Sequence, residues 1–561
     1  MDLIRYSIIG AIIAVSLILV NEWTDFKAAD KALLDANQVP IESYQNTGEV
    51  PRDIATNSNS DTPVLNAPIV APSQSTVAPV STNLITVTTG TLIMRIDPNG
   101  GDIVSVLLPK HLAKLDEKEN PFVLLEQNSR RTYIAQSGLI GPNGTDTANG
   151  KPLFSSAVRD YNLNGRETLN VDLKFTDSNG AYITKRFIFT ANSYLVTQQY
   201  IIENNSDEQW TANFYAQLKR DSSEDPAADT TGMGMQPFLG VATRTEEKPY
   251  IKTTFSDLAD EPFKASVTNG WLSIVQHYFI SAWIPPVDVT NAYSTKVNSD
   301  GFNFIRYISP AVTVAPHSVE TIESRFYAGP KDQESLEAIA LGLELTVDYG
   351  WLWWIAQPLF WIMTFIHGYV GNWGWSIIFL TMFVKLLFYP LSAASYRSMA
   401  KMRLVTPKMT EIRERHADDK QAQSAAMMEL YKKEKVNPLG GCLPILIQMP
   451  VFISLYWVLM ESVELRHAPW LGWIQDLSTM DPYYILPLIM GVSMFIQQKL
   501  NPPPPDPMQA KVMQIMPIFF TFFFLWFPAG LVLYWCVNNI LSILQQWMIT
   551  RQIEAAAAAA Q

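Results

Sequence analysis

Hydrophobic and polar residues are distributed unevenly along the chain, and their pattern predicts three regions. An apolar segment covers residues 6–20 near the N-terminus. A long region up to about residue 329 alternates short apolar and polar stretches, which is typical of β-strands. The last third holds apolar runs that are long enough, or nearly so, to cross a bilayer core of about 30 Å. The pattern therefore predicts membrane helices before and after a β domain in the sequence.

The first apolar segment is predicted to be an uncleaved signal anchor formed by residues 1–21. Arg5 precedes it, and Asn21, Glu22 and Trp23 follow it without the small-residue pattern of a cleavage site. This charge distribution places the N-terminus inside. A cleaved signal peptide is the alternative. Residues 22–82 are predicted to be a flexible linker, because they are rich in Pro, Ser, Thr, Asn and Ala and lack apolar periodicity.

Residues 83–347 are predicted to form a large antiparallel β-sandwich with a C-terminal helix. Apolar and polar residues alternate within short segments, and turn-forming residues separate these segments. The helix is expected over residues 335–347. The predicted strands cover residues 84–87, 91–96, 103–108, 171–175, 182–189 and 194–202, with turns at 98–101 and 177–180.

The C-terminal third is predicted to be a membrane α-helical bundle. Residues 348–369 are dense in tryptophan, which favours an interfacial helix on the outer surface. Residues 370–551 form the core, with a cytoplasmic helical hairpin at 393–441, and residues 552–561 are a low-complexity tail. Together with the anchor this gives six transmembrane helices, five of them in the core, at residues 373–391, 442–460, 483–497, 512–527 and 530–547.

Charges in two loops of the core give the orientation of the bundle. The loop of residues 461–481 has one cation, Arg466, against four acidic residues. The positive-inside rule places this loop outside and the strongly basic loop of residues 393–441 in the cytoplasm. Counting spans from an inside N-terminus gives the same orientation, with both termini cytoplasmic and the β domain periplasmic. The cations of the basic loop are Arg397, Lys401, Arg403, Lys408, Arg413, Arg415, Lys420, Lys432, Lys433 and Lys435.

Composition excludes several classes of protein. At 561 residues the chain is too long for one ordinary domain, and its net charge of -12 argues against nucleic-acid binding. The two cysteines, Cys442 and Cys536, lie in apolar segments, so no disulfide framework holds the β domain. The six histidines lack metal-ligand spacing, and no phosphate-binding loop or nucleophile elbow is present. We therefore expect the protein to have no enzymatic activity, no cofactor and no metal site.

Lys385 is the most informative residue, because it is a cation within the apolar run of residues 377–391. A charge near the bilayer centre costs at least about 2.5–3.5 kcal/mol, so something must offset it. Thr381 lies four residues before Lys385 and Ser392 seven after, which predicts a shared polar helix face. One interpretation is a water-exposed groove within the inner leaflet. The alternative is that Lys385 extends to the cytoplasmic interface.

Polar residues in other spans support the groove. Gln448 lies near the start of its predicted helix, and Tyr534, Asn538 and Gln545 share one face of the last helix, with Asn539 and Ser542 on the adjoining face. Facing lipid would be unfavourable for them, so we expect them to point toward Lys385. The alternative is that they form interhelical hydrogen bonds in a closed bundle.

The basic loop is predicted to be a helical hairpin. Residues 396–415 form the first helix, which Pro407 should kink or break, and Asp418 and Asp419 cap the second. Methionine side chains suit adaptable apolar contacts, so some of them could meet a client or partner. Packing of the hairpin against itself is the favoured alternative. The candidate contact residues are Met399, Met402, Arg403, Met427 and Met428.

Residues 348–546 resemble the YidC membrane insertases of Gram-negative bacteria. The arrangement of an anchor followed by a large β domain is similar to that of the same family. The motifs that carry the resemblance are VGNWG at 370–374, YPL at 389–391, KVNPLGGC at 435–442, QMP at 448–450, DPYY at 481–484 and LWFPAGL at 525–531.

The resemblance implies a fold and a mechanism. The β domain would be a supersandwich of the galactose-mutarotase type. A positively charged groove, open to cytoplasm and lipid, would receive polar parts of nascent membrane proteins without nucleotide hydrolysis. The family's groove charge is often arginine, and the matching residue here is Lys385, which lacks the guanidinium fork. Thr381 and Tyr534 match positions that face the client.

The same resemblance implies partners and a role as a membrane chaperone. These partners are the Sec translocon, membrane lipids, and the signal-recognition machinery or the ribosome near the hairpin. Two other functions remain open from the residues alone. An ion-coupled transporter would use Lys385 but usually shows internal repeats. An anchored sugar-active enzyme would need an acid–base pair that the β domain does not reveal.

Overall fold

The computed structural model describes residues 61–63, 83–147, 150–178, 180–228, 236–416, 419–434, 443–501 and 507–559. The predicted signal anchor, most of the predicted linker and the KVNPLGGC motif lie outside these residues. The chain divides into two compact units, a β unit that ends at Val347 and a helical unit that begins at Asp348.

The β unit contains two large sheets, which confirms the predicted all-β sandwich. One sheet has ten strands in the order β14-β17-β18-β11-β5-β4-β3-β2-β1-β7, and the other has nine in the order β13-β12-β15-β16-β19-β10-β9-β8-β6. The strands are β1 (Ile85–Thr88), β2 (Ile93–Asp97), β3 (Asp102–Leu112), β4 (Pro121–Gln127), β5 (Thr132–Ile140), β6 (Ser155–Ser156), β7 (Asp160–Asn162), β8 (Thr168–Thr176), β9 (Ala181–Thr190), β10 (Leu195–Asn204), β11 (Trp210–Arg220), β12 (Gly240–Thr243), β13 (Ile251–Thr254), β14 (Lys264–Val267), β15 (Leu272–Val275), β16 (Phe279–Ile284), β17 (Asn291–Val297), β18 (Asn303–Val314) and β19 (Ser318–Pro330).

Alternation along the strands decides which side chains enter the core. Val171 and Leu173 of β8 are buried, whereas Lys174 is exposed. The predicted turn before β3 forms, because Gly100 and Gly101 adopt the left-handed conformation that glycine tolerates. These turn residues place Gly100 against the opposite sheet, where its carbonyl meets a lysine.

Lys185 of β9 is a charged residue in the core between the two sheets. Its side chain is fully buried, and its ammonium donates 2.9 Å hydrogen bonds to two carbonyls of the ten-stranded sheet and its turns, Gly100 before β3 and Ser137 in β5. Burial lowers the pKa of Lys185 to about 7, although the carboxylates of Asp102 and Asp146 oppose this shift. The two hydrogen bonds of Lys185 therefore join the two sheets, and the burial that they require lowers the proton affinity of the lysine.

We expect the stability of the β unit to rise with pH because of Lys185. Between pH 7 and about 10 the unfolded lysine holds a proton that the folded one has lost, so the free energy of unfolding increases by about 1.4 kcal/mol per pH unit. Urea unfolding of residues 83–347 at pH 7.5 and 9.0 measures this slope. The Lys185→Met variant should lose the Lys185 contribution, and parallel pH profiles of the two proteins would contradict the expectation.

The helix predicted at the end of the β unit is shorter than expected. It is α1 (Gln333–Ile339), and the Asp332 carboxylate caps it by accepting from the Ser335 amide at 2.7 Å. The predicted extent of residues 335–347 was wrong because Gly342 adopts a left-handed conformation (φ 78°), and only a short 3-10 turn, Leu343–Thr346, follows.

The helical unit begins with a 3-10 turn, Gly350–Leu352. Its helices are α2 (Trp353–Val370), α3 (Trp373–Leu387), α4 (Tyr389–Arg415), α5 (Lys420–Glu434), α6 (Leu443–Glu461), α7 (Ile485–Leu500), α8 (Pro507–Phe523) and α9 (Ala529–Ala559). Among the described residues, no single helix meets length and hydropathy criteria for a membrane span, but α3 and α4 meet them as a pair. The number of spans stays a prediction.

A bend of 68° separates α3 from α4. The chain leaves the helix at Phe388, and Pro390 occupies the first turn of α4. Proline has no amide hydrogen and disfavours a helical conformation in the preceding residue, which explains the break. The argument that Ser392 shares a helix face with Lys385 was therefore wrong, since the two residues belong to different helices.

Helices α4 and α5 pack as the predicted hairpin. The carboxylate of Asp419 accepts from the amides of Gln421 and Ala422 and caps α5, while Asp418 lies outside the described residues. Pro407 was predicted to kink or break the first helix, and the break was wrong, because α4 continues through the proline. Packing favours this continuity, since Val405 and Met409, two residues before and after the proline, are buried in the hairpin core. That core contains Val405, Met409 and Leu430, with Met402, Ile412, Met427 and Tyr431 packed against it.

Candidate functional site

Helix α9 carries a line of buried polar residues along one side. Tyr534, Asn538 and Ser542 are spaced four residues apart, which brings them close to one face of a helix. Their exposed fractions are 1%, 7% and 2%. A polar group buried in an apolar bundle needs a hydrogen-bond partner. Neighbouring helices are therefore expected to present polar side chains to these three residues.

Lys385 of α3 meets this line at Ser542. Its ammonium donates a 2.8 Å hydrogen bond to the Ser542 hydroxyl, which donates its own proton to the Asn538 carbonyl at 2.7 Å. Tyr396 of α4 also hydrogen-bonds to Ser542. The serine oxygen therefore presents its acceptor side to the lysine, and Ser542, which was expected to point toward Lys385 from the adjoining helix face, is its direct hydrogen-bond partner.

The Gln448 amide of α6 donates a hydrogen bond to the Tyr534 hydroxyl. The structure thus brings two predicted site residues together from helices that are far apart in sequence. Asn538 lies between Tyr534 and Ser542 on α9, and its side-chain carbonyl oxygen is buried without a partner among the described residues. An unpartnered buried acceptor is unfavourable by roughly 1–3 kcal/mol, so this oxygen is a candidate contact for a donor from outside the bundle.

In the part of the chain that the structure describes, no hydrogen bond joins Thr381, Ser392 or Gln545 to Lys385. The Thr381 hydroxyl is buried and donates to the Ile377 carbonyl of its own helix at 2.6 Å. Ser392 is buried beyond the bend, in the first turn of α4. Gln545 donates to the Tyr389 carbonyl at 3.4 Å and so ties α9 to the bend. These three residues support the helices around Lys385 rather than extending its line of hydrogen bonds.

Other polar residues of α9 join neighbouring helices. Asn539 donates to the Ser493 hydroxyl of α7 at 3.0 Å, and Gln546 donates to the Asn501 side chain at 2.9 Å. Interhelical hydrogen bonding, the alternative to a groove, therefore accounts for these two residues. Ser493 was not singled out in the sequence, because a lone serine in an apolar run gives no distinctive signal.

The hairpin candidates separate into packed and exposed residues. Met402 and Met427 pack against the hairpin core, and Met399 packs with Ala393, Tyr396 and Ile549. Met428 is 58% exposed, and Arg403 is also exposed. Packing thus accounts for three methionines, and the exposed pair remains available for contacts. Within the part of the chain that the structure describes, no group of three side chains is arranged to hold a metal ion.

Comparison with protein-family models covers most of the chain. Residues 365–556 match the family described as 60Kd inner membrane protein, and residues 84–362 match the YidC periplasmic domain. The first match includes Lys385 and all of its hydrogen-bond partners, and the second includes all nineteen strands.

Full-length relatives show the same similarity. The membrane protein insertase YidC of Azotobacter vinelandii is 52% identical over 561 residues, which are 99% of this chain and 100% of that protein. The protein of the same description from Saccharophagus degradans is 53% identical over 560 residues, again 99% and 100% of the two chains. A crystal structure of an active YidC insertase is 17% identical with a TM-score of 0.38, covering 83% of this chain and 92% of that one.

The family assignment rests on the sequence matches, which extend over both units of the chain. The family inserts proteins into the inner membrane and is not a family of catalytic enzymes. The chain belongs to the YidC family of membrane protein insertases.

Proposed function

We propose that this protein inserts nascent membrane proteins into the inner membrane through a hydrophilic groove that contains Lys385. The observation that carries the proposal is the half-buried ammonium of Lys385, held by Ser542 inside a bundle of apolar helices. Family membership supports insertion over the ion-coupled transporter and the sugar-active enzyme.

The ammonium of Lys385 has hydrogen-bonding capacity beyond Ser542. A lysine ammonium has three donors, and one of them is used by a side chain among the described residues. The remaining donors suit carboxylates and carbonyl oxygens of a polar client segment. In surroundings of low dielectric, hydrogen bonds to a charged group contribute about 1.5–3 kcal/mol, so the lysine would lower the cost of bringing such a segment into the bundle.

The driving force for insertion comes from the client itself. A client helix of about 20 apolar residues gains free energy on entering lipid, whereas its polar flank opposes the crossing. The groove shelters that flank near Lys385, Gln448, Tyr534 and Asn538 while the apolar helix moves into the bilayer. This mechanism needs no nucleotide or metal, and the protein would act alone as insertase and chaperone or together with the Sec translocon.

The hairpin is proposed as the docking surface for the signal-recognition machinery or the ribosome. Exposed Arg403 and Met428 offer a cation and an apolar group. Two other hairpin cations are already paired, Lys408 with Glu434 at 2.7 Å and Arg415 with Glu411 at 2.6 Å. The proposed topology keeps both termini and this hairpin cytoplasmic and the β unit periplasmic, with membrane lipids around the bundle.

Substitution of Lys385 tests the role of charge. We expect Lys385→Arg to retain insertion of a single-span client into vesicles, Lys385→Ala to reduce its rate about ten- to a hundredfold, and Lys385→Glu to abolish it, because a cation–acceptor hydrogen bond contributes about 1.5–3 kcal/mol. Lys499→Ala, near the end of α7, is the matched control. Normal insertion by the Lys385→Ala variant would contradict a role of the charge and would indicate that apolar contacts alone carry the client into the bilayer.

Two buried serines separate function from stability. Ser542→Ala removes the acceptor for Lys385 and should slow insertion about five- to a hundredfold, since loss of a buried partner costs about 1–3 kcal/mol. Ser493→Ala removes the acceptor for Asn539 and should lower thermal stability without a specific loss of insertion. Insertion rate normalised to folded protein is the measurement, and equal losses in both variants would contradict the distinction.

Deletion of the sheets tests where the activity resides. Removing residues 83–330 takes out every strand from β1 to β19 and leaves α1 and the helical unit. We expect insertion in the reconstituted assay to be largely retained, because the proposed groove lies wholly in the helices. Loss of insertion with a folded helical unit would require an active contribution from the β unit.

A further inference from the structure

A short piece of the predicted linker, residues 61–63, lies against the ten-stranded sheet of the β unit. The Asp61 carboxylate forms a 2.6 Å ion pair with Lys219, and its backbone carbonyl accepts a 2.8 Å hydrogen bond from the Gln217 amide. Thr62 and Pro63 are buried. These contacts join residues more than 150 positions apart in sequence. The segment therefore binds to the sheet as part of the same chain.

The sheet face under this segment is organised for binding. Gln217 of β11 stands opposite Gln136 of β5 and Arg306 of β18, and Arg306 stands opposite Ser294 of β17, so the four side chains share one face. Gln217 donates to Gln136 at 2.8 Å, and Gln136 donates to Asp102 at 2.8 Å. This chain of hydrogen bonds fixes the Gln217 amide with its donor toward the peptide carbonyl.

Positive charge is in excess on this face. Four cations, Lys151, Lys219, Lys296 and Arg306, stand against three carboxylates, Asp97, Asp102 and Asp146. Lys151 is paired with Asp102 at 2.7 Å, and Asp146 accepts from the Tyr215 hydroxyl at 2.8 Å. Asp61 adds a fourth carboxylate to these three, and it is the one that pairs with Lys219.

Arg306 gives independent evidence of a binding site. Its side chain is 2% exposed, its Nε donates to Ser294 at 3.1 Å, and its Nη2 is buried without a partner among the described residues. A buried guanidinium donor without an acceptor is costly. Because Arg306 stands beside Gln217, the free donor lies on the face that the Asp61 segment occupies.

We propose that this face is a binding site for an extended peptide segment that carries a carboxylate, and that Asp61–Thr62–Pro63 occupies it in cis. Lys219 binds the carboxylate and Gln217 binds the peptide carbonyl, while Arg306 offers a donor on the same face that residues 61–63 leave unused. Phe302 and Phe304 lie under the Lys219 ammonium, 4.3 and 5.6 Å from it to their ring centroids, and hold it in place. A partner that presents such a segment competes with the linker for this site.

Carbodiimide coupling of the full-length protein in detergent tests the cis contact. This reagent joins a carboxylate to an amine in direct contact, with loss of water, so the Asp61–Lys219 amide should be detected by peptide mass spectrometry. Asp61→Asn removes the reactive carboxylate and should abolish the product. Absence of the product from the wild-type protein would overturn the occupancy by Asp61.

Peptide binding in trans tests the site itself. A labelled synthetic peptide of residues 57–66 should bind full-length Asp61→Asn at least about tenfold more tightly than wild type, whose site is occupied. Adding Lys219→Met should remove this binding, and a peptide with Asn in place of Asp61 should bind poorly. Lys252→Met is the matched control, because Lys252 also stacks on a phenylalanine, Phe238 at 5.1 Å, but belongs to the other sheet. Equal binding to all variants, or none to Asp61→Asn, would overturn the proposal.

Discussion

The hydrogen bond between the Lys385 ammonium and the Ser542 hydroxyl organises the polar side chains of the helical unit. A charge in an apolar bundle is tolerated only with a partner, and serine can accept from the lysine because its proton is already given to the Asn538 carbonyl. Tyr396 uses the same serine. Helices α3, α4 and α9 therefore converge on one hydroxyl group, and Gln448 brings α6 to the same line through Tyr534.

The bend between α3 and α4 follows from local chemistry but serves this arrangement. Pro390 ends the regular hydrogen bonding of α3, and the chain turns by 68° before α4 begins. Lys385 stands just before the bend and Tyr396 two turns after it, yet both reach Ser542. Gln545 stabilises the bend from α9 by donating to the Tyr389 carbonyl. A straight helix through this region would carry Tyr396 more than 10 residues along the axis, about 16 Å from Lys385.

The β unit also contains lysines whose charge must be satisfied away from water. Lys185 is buried in the core and satisfies its ammonium with two backbone carbonyls, whereas Lys219 on the other face of the ten-stranded sheet is satisfied by Asp61. Both lysines sit among aromatic rings, which accommodate the cation and the alkyl stem. The difference is that the partners of Lys185 belong to the sandwich itself, whereas the partner of Lys219 belongs to a segment that precedes the strands in sequence.

The sequence by itself determined the all-β sandwich, the glycine turn before β3 and the helical hairpin, and it singled out Lys385 as a cation in an apolar run. These features depend on local periodicity, on turn chemistry and on a charge in an apolar run, and each can be recognised within a few residues. Tertiary structure alone decided that Ser542 is the partner of Lys385, that Ser392 lies beyond a bend, and that α4 continues through Pro407. It also placed Asp61 on Lys219 and Lys185 between the sheets. These outcomes depend on contacts between residues that are distant in the chain, where the free energy of burying and satisfying a polar group outweighs local preference.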